Sequence, residues 1–172
     1  MFWLIYKLHQ LSNQFSERQM PMKHLHILFV DDDTDESYLF NEAIEHSKLD
    51  VRLSVAKDGN DLLSFLYNQL APDLVIMDIN MPYKDGLEAL TEIRKEQTFD
   101  KIPLLIYSTS NNKDRINSCY EKGADLFLIK PENFDELVQM VRKVFTIDWK
   151  NYRKPSIENF VIEESNKRQL ND

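Results

Sequence analysis

Several side chains that could do metal or group-transfer chemistry directly follow short apolar runs of the sequence. An acidic triplet follows HILFV, a further aspartate follows LVIM, a hydroxyl pair follows IPLLIY, and a lysine follows LFLI. In chain order these residues are Asp31, Asp32, Asp33, Asp78, Ser108, Thr109 and Lys130. A fold that places the ends of these runs side by side would gather acids, a hydroxyl and an amine at one site.

Such a set of side chains has a definite chemistry. Crowded carboxylates repel one another unless a cation neutralises them, and an all-oxygen ligand set suits octahedral Mg²⁺. A carboxylate is also an established nucleophile that forms an aspartyl-phosphate. Mg²⁺, an ammonium group and a hydroxyl would together stabilise the charge on the phosphoryl oxygens during transfer. The residue types therefore favour a Mg²⁺-dependent site with a carboxylate as phosphoryl acceptor.

The elements that must position these residues can be read from the apolar pattern. The short apolar runs are 26–30, 51–55, 74–77, 102–107 and 126–129. They alternate with segments in which apolar residues recur at helical spacing, of which the last contains Leu137, Val141 and Val144. Five strand–helix repeats predict an α/β domain in which a doubly wound parallel sheet carries helices on both faces.

The same pattern indicates the position of each strand. Continuous apolar runs are typical of strands covered on both faces, whereas the alternating segment 51–55 is typical of a half-exposed strand. We therefore place strands three and four in the centre and strand two at an edge. We adopt the order 2-1-3-4-5, which is established for flavodoxin-like (βα)5 sheets. Ligands of such sheets bind beyond the carboxyl ends of the strands, where the candidate residues would meet.

Composition excludes several classes of function. The 172 residues carry a formal charge of −8 without a basic block, so we expect no binding to nucleic acid or to a membrane. Three glycines allow neither a Walker loop nor a G-x-G-x-x-G turn. One cysteine excludes an internal disulfide and a cysteine-based metal cluster. Because no apolar run approaches the ~20 residues that span a bilayer, we expect a cytoplasmic protein.

Four segments resemble motifs of the response regulator receiver domain of two-component signalling. They are VDDD (30–33), MDINMPYKDG (77–86), YSTS (107–110) and GADLFLIKP (123–131), in the family's order and spacing. The resemblance covers nearly all of residues 23–148. It implies a stand-alone signalling protein, similar to the chemotaxis regulators, that accepts a phosphoryl group from a sensor histidine kinase or phosphotransfer protein. It would signal to an unknown downstream protein by contact, and would catalyse only its own phosphotransfer and dephosphorylation.

The resemblance implies a phosphoacceptor and a metal site. Asp78 would receive the phosphoryl group and would bind Mg²⁺ directly, together with Asp32. Asn80 would contribute its backbone carbonyl to the ion, and Asp31 would act through water.

The resemblance also implies a switch. Ser108 would be the switch hydroxyl and Lys130 the partner of the phosphate and the carboxylates. Phe127, three residues before the lysine, would be the aromatic residue that reorients with Ser108. The peptide bond between Lys130 and Pro131 would be cis, as in the family.

Some neighbouring residues have simpler interpretations. Asp33, with Glu36 three residues later, is typical of a helix N-cap with its capping-box partner. A one-residue shift of strand one would make Asp32 and Asp33 the acidic pair, and we favour Asp31 and Asp32. Cys119 lies on an apolar helical stripe and is predicted to be a small core residue.

Two other classes of function compete with a phosphorylated receiver. In haloacid-dehalogenase-like phosphatases the first strand ends in D-x-D-x-T, a pattern that Asp31, Asp33 and Thr34 satisfy. Those enzymes need a further acidic pair after the lysine, and that interpretation leaves Asp78 unexplained. The second class is a pseudo-receiver, an interaction module that never takes phosphate. Pseudo-receivers usually lack the acceptor or the lysine, and this chain has both.

We divide the chain into an N-terminal extension (1–22), a receiver domain (23–148) and a C-terminal tail (149–172). The extension is expected to be disordered or to precede the true start. The tail contains Trp149 and an apolar cluster at 160–162, which an isolated tail rarely exposes without a partner. Either this cluster docks on a neighbouring subunit, giving a homodimer at the face of helix four, strand five and helix five, or the tail folds onto its own last helix and the protein stays monomeric.

Overall fold

The computed structural model describes residues 24–69 and 71–163. Six parallel strands form one sheet in the order β2-β1-β3-β4-β5-β6. The strands are β1 (Leu25–Val30), β2 (Val51–Ala56), β3 (Leu74–Asp78), β4 (Leu104–Ser108), β5 (Leu126–Ile129) and β6 (Val161–Ile162). The helices are α1 (Thr34–Ser47), α2 (Gly59–Asn68), α3 (Gly86–Ile93), α4 (Lys113–Glu121) and α5 (Phe134–Phe145), with 3₁₀ turns at Gln97–Phe99 and Ile157–Asn159. The predicted extension 1–22 lies outside the described residues.

Burial explains the strand order. Every residue of β3 and β4 is buried, and these two strands lie in the centre of the sheet as the continuous apolar runs predict. Strand β2 lies at an edge, and its alternating residue Val55 is exposed. The predicted order of the first five strands is therefore confirmed.

The prediction of five strands is wrong, because a sixth strand pairs with the outer edge of β5. Phe127 lies opposite Val161 and Leu128 opposite Ile162 in a parallel register. The backbone N–H of Phe127 donates to the carbonyl of Phe160 at 2.9 Å. Two residues are too few to show a strand period in a sequence, and the pairing satisfies backbone groups that an edge strand leaves open.

The five helices begin at similar caps. Each follows an Asp or Asn residue whose side chain accepts a hydrogen bond from a backbone N–H in the first turn. These caps are Asp33, Asp58, Asp85, Asn112 and Asn133. These caps determine where each helix begins after its strand.

The core has two layers, one on each face of the sheet. Helices α2, α3 and α4 cover the layer that includes Phe127, and helices α1 and α5 cover the opposite layer. Cys119 of α4 is fully buried in the first layer, which confirms its prediction as a core residue. This arrangement is the doubly wound fold expected from the strand–helix repeats. Within the described ranges, none of the helices has the length and apolar character needed to cross a membrane.

The described part of the tail packs on its own domain. Trp149 is buried beside α5, where its indole Nε1–H donates to the carbonyl of Val144 at 3.1 Å. The Tyr152 hydroxyl donates to the carbonyl of Asp125 at 3.0 Å, next to the start of β5. Of the two predicted arrangements of the tail, the structure shows packing within the same chain. The tail contacts β5 as well as the last helix.

Candidate functional site

Two buried carboxylates lie at the carboxyl ends of neighbouring strands. Asp78 is the last residue of β3, and Asp31 follows β1 directly. Val30 lies opposite Met77 in the parallel register, so Asp31 and Asp78 occupy adjacent positions. Their exposed fractions are only 3% and 8%. Carboxylates are rarely buried without a partner, and this burial indicates a specific role.

The partner of these carboxylates is Lys130, which follows β5. Its Nζ lies 3.1 Å from Oδ2 of Asp31, 3.7 Å from Oδ2 of Asp78 and 3.8 Å from Oε1 of Glu36. The backbone N–H of Lys130 donates to the carbonyl of Ser108 at 2.9 Å, which holds the lysine beside β4. One ammonium group thus faces three carboxylates.

The pKa shifts follow from this crowding. Burial raises the pKa of Asp78, and the charge of Asp31 adds to the effect, although Lys130 and backbone N–H groups oppose it. One of these N–H groups, that of Ile79, donates to Oδ1 of Asp78 at 2.7 Å. Burial alone would lower the pKa of Lys130, but the surrounding carboxylates outweigh burial and raise it. Burial likewise raises the pKa of Glu36. The site therefore carries an excess of negative charge that favours a bound cation.

The predicted metal ligands offer the oxygen atoms that a hard cation prefers, but these oxygens do not surround a common point. Asp32 and Asn80 are exposed at the rim, while Asp31 and Asp78 share Lys130. Across the part of the chain that the structure describes, no group of three His, Cys, Asp or Glu residues is arranged to hold a metal ion. The carboxylate oxygens fit a divalent ion in type, and Asp32 would have to turn inward to complete the set.

Ser108 and Phe127 lie on the same face of the sheet. Ser108 ends β4 fully buried, and its Oγ accepts a hydrogen bond from the N–H of Ser110 at 3.3 Å. In the register of β4 and β5, Phe127 lies opposite Ile106, two residues before Ser108. Side chains two apart on a strand share a face, so the hydroxyl and the aromatic ring belong to one layer. Thr109, the other predicted hydroxyl, is exposed.

The loop after Asp78 is held close to the strand end. The N–H of Gly86 donates to the carbonyl of Ile79 at 2.9 Å. A Cβ atom on Gly86 would lie 2.2 Å from the backbone oxygen of Asp78, so only glycine fits this close approach. Tyr83, at the tip of the loop, has a φ of 63° and is 91% exposed. The loop thus fixes the backbone next to Asp78 while presenting an aromatic ring to solvent.

Glu36 was predicted to be a capping-box partner, and that prediction is wrong. Asp33 caps α1 as predicted, but its own N–H donates to Oδ1 of Asp31 at 2.9 Å. The Glu36 carboxylate lies instead 3.8 Å from the Lys130 ammonium, whose positive charge attracts it. Its position on the first turn of α1, three residues after the acidic triplet, is the signal that could have identified it. With Asp33 at the cap, the structure brings Asp31 rather than Asp33 to the lysine.

The expected cis peptide bond before Pro131 is also not found. The described residues contain no cis peptide bond, so the bond between Lys130 and Pro131 is trans. The trans isomer of an X–Pro bond is favoured by about 0.5–1 kcal/mol. Lys130 makes its contacts with Asp31 and Ser108 with the bond in this form, so these contacts do not require the rarer isomer.

Comparison with known proteins identifies the class to which this fold and site belong. Residues 27–142 match the family model of the response regulator receiver domain, and the chain belongs to this family. Response regulators are phosphorylation-dependent signalling proteins that interact with histidine kinases or phosphotransfer proteins, and receiver domains bind divalent metal ions. This membership leaves the phosphatase alternative without support.

Particular relatives are themselves single-domain regulators. The chain is 33% identical over 124 residues to the response regulator Rcp1 of Synechocystis sp., covering 69% of this chain and 84% of that protein. A crystal structure of the Mn²⁺-bound form of Rcp1 aligns with a TM-score of 0.66 at 30% identity, over 77% of this chain and 99% of that one. The phosphorylated cyanobacterial phytochrome response regulator RcpA aligns with a TM-score of 0.68 at 29% identity, again over 77% and 99%.

Proposed function

We propose that Asp78 is the residue that accepts the phosphoryl group, from a phosphohistidine of a sensor kinase or phosphotransfer protein or from a small acyl phosphate. The observation that carries this proposal is the buried Asp78 carboxylate at the end of a central strand, 3.7 Å from the ammonium of Lys130. A carboxylate oxygen of Asp78 would form the new P–O bond as the P–N bond to the donor imidazole breaks. The imidazole leaves, and an acyl phosphate remains on the protein.

The proposed metal is Mg²⁺, held by Asp32, Asp78 and the backbone carbonyl of Asn80. When bound, the ion supplies positive charge for the phosphoryl oxygens. An indirect role for Asp31 through water is supported by its existing bonds, since the N–H of Asp33 occupies Oδ1 and Lys130 occupies Oδ2. Lys130 would neutralise Asp78 before transfer and pair with a phosphoryl oxygen after it.

Ser108 and Phe127 are proposed to report the phosphate rather than receive it. The Ser108 hydroxyl and the Lys130 ammonium lie at neighbouring strand ends, where they could bond oxygens that exist only after transfer. Phe127 shares the layer of Ser108 and would reorient with it. Movement would then reach the face of α4, β5 and α5 first, where a downstream protein would bind. Dephosphorylation by the protein itself and a cytoplasmic location belong to the same proposal.

Intact-mass measurement after incubation with acetyl phosphate and Mg²⁺ tests the assignment. We expect the mass gain of one phosphoryl group, stable in acid and lost in base, in the wild type and not in Asp78→Asn. An equal gain in Asp78→Asn would overturn the assignment. No gain in the wild type, from acetyl phosphate or from a set of phosphorylated histidine kinases, would instead favour the pseudo-receiver alternative.

The switch role of Ser108 needs a separate readout. Ser108→Ala should still gain the phosphoryl mass, because the hydroxyl is not the acceptor. It should lose the change in near-UV circular dichroism or amide chemical shifts that phosphorylation produces in the wild type. If Ser108→Ala responds like the wild type, the switch lies elsewhere.

A homodimer remains part of the proposal for partners. Exchange of the tail between two copies would require residues 152–162 to leave β5 in each copy. Light scattering on the full chain, with and without the phosphate mimic beryllofluoride, measures this directly. A monomer under both conditions would exclude the proposed homodimer.

A further inference from the structure

A segment of the tail lies along the outer edge of β5 and against Tyr120, near the end of α4. We call residues 152–162 the C-terminal strap. Besides the pairing of β6 with β5, four hydrogen bonds hold it to the domain, three of them at residues 152–155 and one at Phe160. They run from Tyr152 Oη to the Asp125 carbonyl (3.0 Å), from Lys154 Nζ to the Tyr120 carbonyl (2.5 Å), from Tyr120 Oη to the Pro155 carbonyl (3.1 Å), and from the Phe127 N–H to the Phe160 carbonyl (2.9 Å). The strap is therefore an integral, hydrogen-bonded part of the fold.

The apolar anchor of the strap is Phe160. It is fully buried, with its ring 5.1 Å from that of Tyr120 in an edge-to-face contact and 6.4 Å from that of Phe127. Lys154 lies over the Tyr120 ring at 3.9 Å and adds a cation–π contact on the outside. Phe160 thus packs against both α4 and the proposed switch residue.

Phe127 is engaged by the strap through its backbone as well as its side chain. Its N–H donates to the Phe160 carbonyl, and its ring contacts the Phe160 ring. In the sheet, β5 lies between β4, which ends in Ser108, and β6 of the strap. A change at Ser108 that moves Phe127 must therefore repack Phe160, because close-packed interiors shift between discrete arrangements rather than deform continuously.

We infer that Phe160 is a positioning residue for Phe127, and that the strap opposes the phosphorylated state of the regulator. This inference rests on the proposed function of Asp78. Linkage makes the opposition reciprocal: a phosphate mimic at Asp78 loosens the strap, and loosening the strap strengthens binding of the mimic by the same factor. The strap, a segment of the same chain, thus covers part of the face through which the regulator would signal.

The first test is a titration of the full-length protein with beryllofluoride in the presence of Mg²⁺. Phe160→Leu keeps an apolar side chain but removes the ring contact with Phe127. Tyr120→Phe keeps the ring and removes only the bond to the Pro155 carbonyl. We expect both variants to bind beryllofluoride more tightly, with the half-saturation concentration of Phe160→Leu lower by roughly fivefold.

Phe99→Leu is the matched control. Phe99 is buried in the same core layer, but its ring pairs with that of Tyr67 on α2, whereas the Phe160 ring pairs with those of Tyr120 and Phe127. Phe99→Leu should lower stability without changing the half-saturation concentration of beryllofluoride. The comparison therefore distinguishes loss of Phe127 positioning from general destabilisation. If Phe160→Leu shifts this concentration no more than Phe99→Leu does, the inference is overturned.

The second test is amide hydrogen exchange of the wild type. The Phe127 N–H, which is bonded to the Phe160 carbonyl, should exchange faster once beryllofluoride is bound. Unchanged protection of this amide at saturation would overturn the inference while leaving the proposed function intact. Failure of the wild type to bind beryllofluoride, or equal binding by Asp78→Asn, would overturn the proposed function and the inference with it.

Discussion

Replacing Arg94 with methionine should destabilise the protein while leaving the phosphorylation site intact. Arg94 follows α3, and its guanidinium joins three segments of the chain. It donates to the carbonyls of Gly123 (2.9 Å), Ile102 (3.1 Å) and Phe99 (3.3 Å), and to the carboxylate of Asp125 (2.7 Å). Methionine retains an apolar stem of similar length but has no group that can donate to these four acceptors.

The size of the effect follows from burial. The side chains of Arg94 and Asp125 are only 17% and 19% exposed. Burial raises the pKa of Asp125 and lowers that of Arg94, so desolvation outweighs pairing for both groups. Removing one member of a buried pair leaves the other charge uncompensated, which costs about 3–5 kcal/mol. Because both groups keep some contact with water, we expect about 3 kcal/mol for Arg94→Met. For a chain of this size that is a loss of roughly 6–12 °C in Tm.

Urea denaturation followed by circular dichroism measures this cost as a shift in the midpoint at constant slope. Arg94→Lys should recover only part of the stability, because lysine keeps the charge but not the fork geometry. The double variant Arg94→Met/Asp125→Asn should lose at least about 1 kcal/mol less than the sum of its single variants. A loss below about 1 kcal/mol for Arg94→Met, or additive single variants, would refute the reasoning. Phosphorylation of Asp78 should be unchanged, since Asp125 lies at the opposite, amino end of β5.

Three further predictions concern single residues. Burial raises the pKa of the Cys119 thiol to about 11, so a thiol reagent at pH 8 should label the protein only after unfolding in urea. Rapid labelling of the folded protein would contradict this. Gly86→Ala should lower both stability and labelling by acetyl phosphate, because the new Cβ would clash with the backbone oxygen of Asp78. Labelling of this variant at the wild-type level would show that the loop can rearrange to accept the Cβ. Lys48 follows α1 as its C-cap residue with a φ of 60°, so Lys48→Gly should stabilise the protein in urea by about 0.5–1 kcal/mol, while Lys48→Ala should not.

The fold was largely predictable because strand burial leaves a clear pattern. The continuous runs that became β3 and β4 lie in the centre, and the alternating run that became β2 lies at an edge. Strand β6 was not predictable from periodicity, since it has two residues and depends on the burial of Phe160 beside Phe127 and Tyr120. Such a strand is set by tertiary contacts rather than by local pattern.

The candidate site was predictable for a related reason. Parallel strands end at one edge, so residues directly after apolar runs converge there, as Asp31, Asp78 and Lys130 do. Glu36 was missed because its spacing from Asp33 also fits a capping box, and only the charge of Lys130 distinguishes the two roles. The pairing of Arg94 with Asp125 joins residues 31 positions apart, and no local sequence pattern links them.

The proposed function requires that the phosphoryl group resides on Asp78, and chemical mapping of the acceptor residue measures this. After labelling with acetyl phosphate and Mg²⁺, reduction by borohydride converts an aspartyl-phosphate to homoserine, which marks the residue in a peptide mass map. We predict homoserine at position 78 and at no other aspartate, with no homoserine formed when Mg²⁺ is removed by chelation. Homoserine at Asp31 or Asp32, or phosphate retained on Ser108, would contradict it.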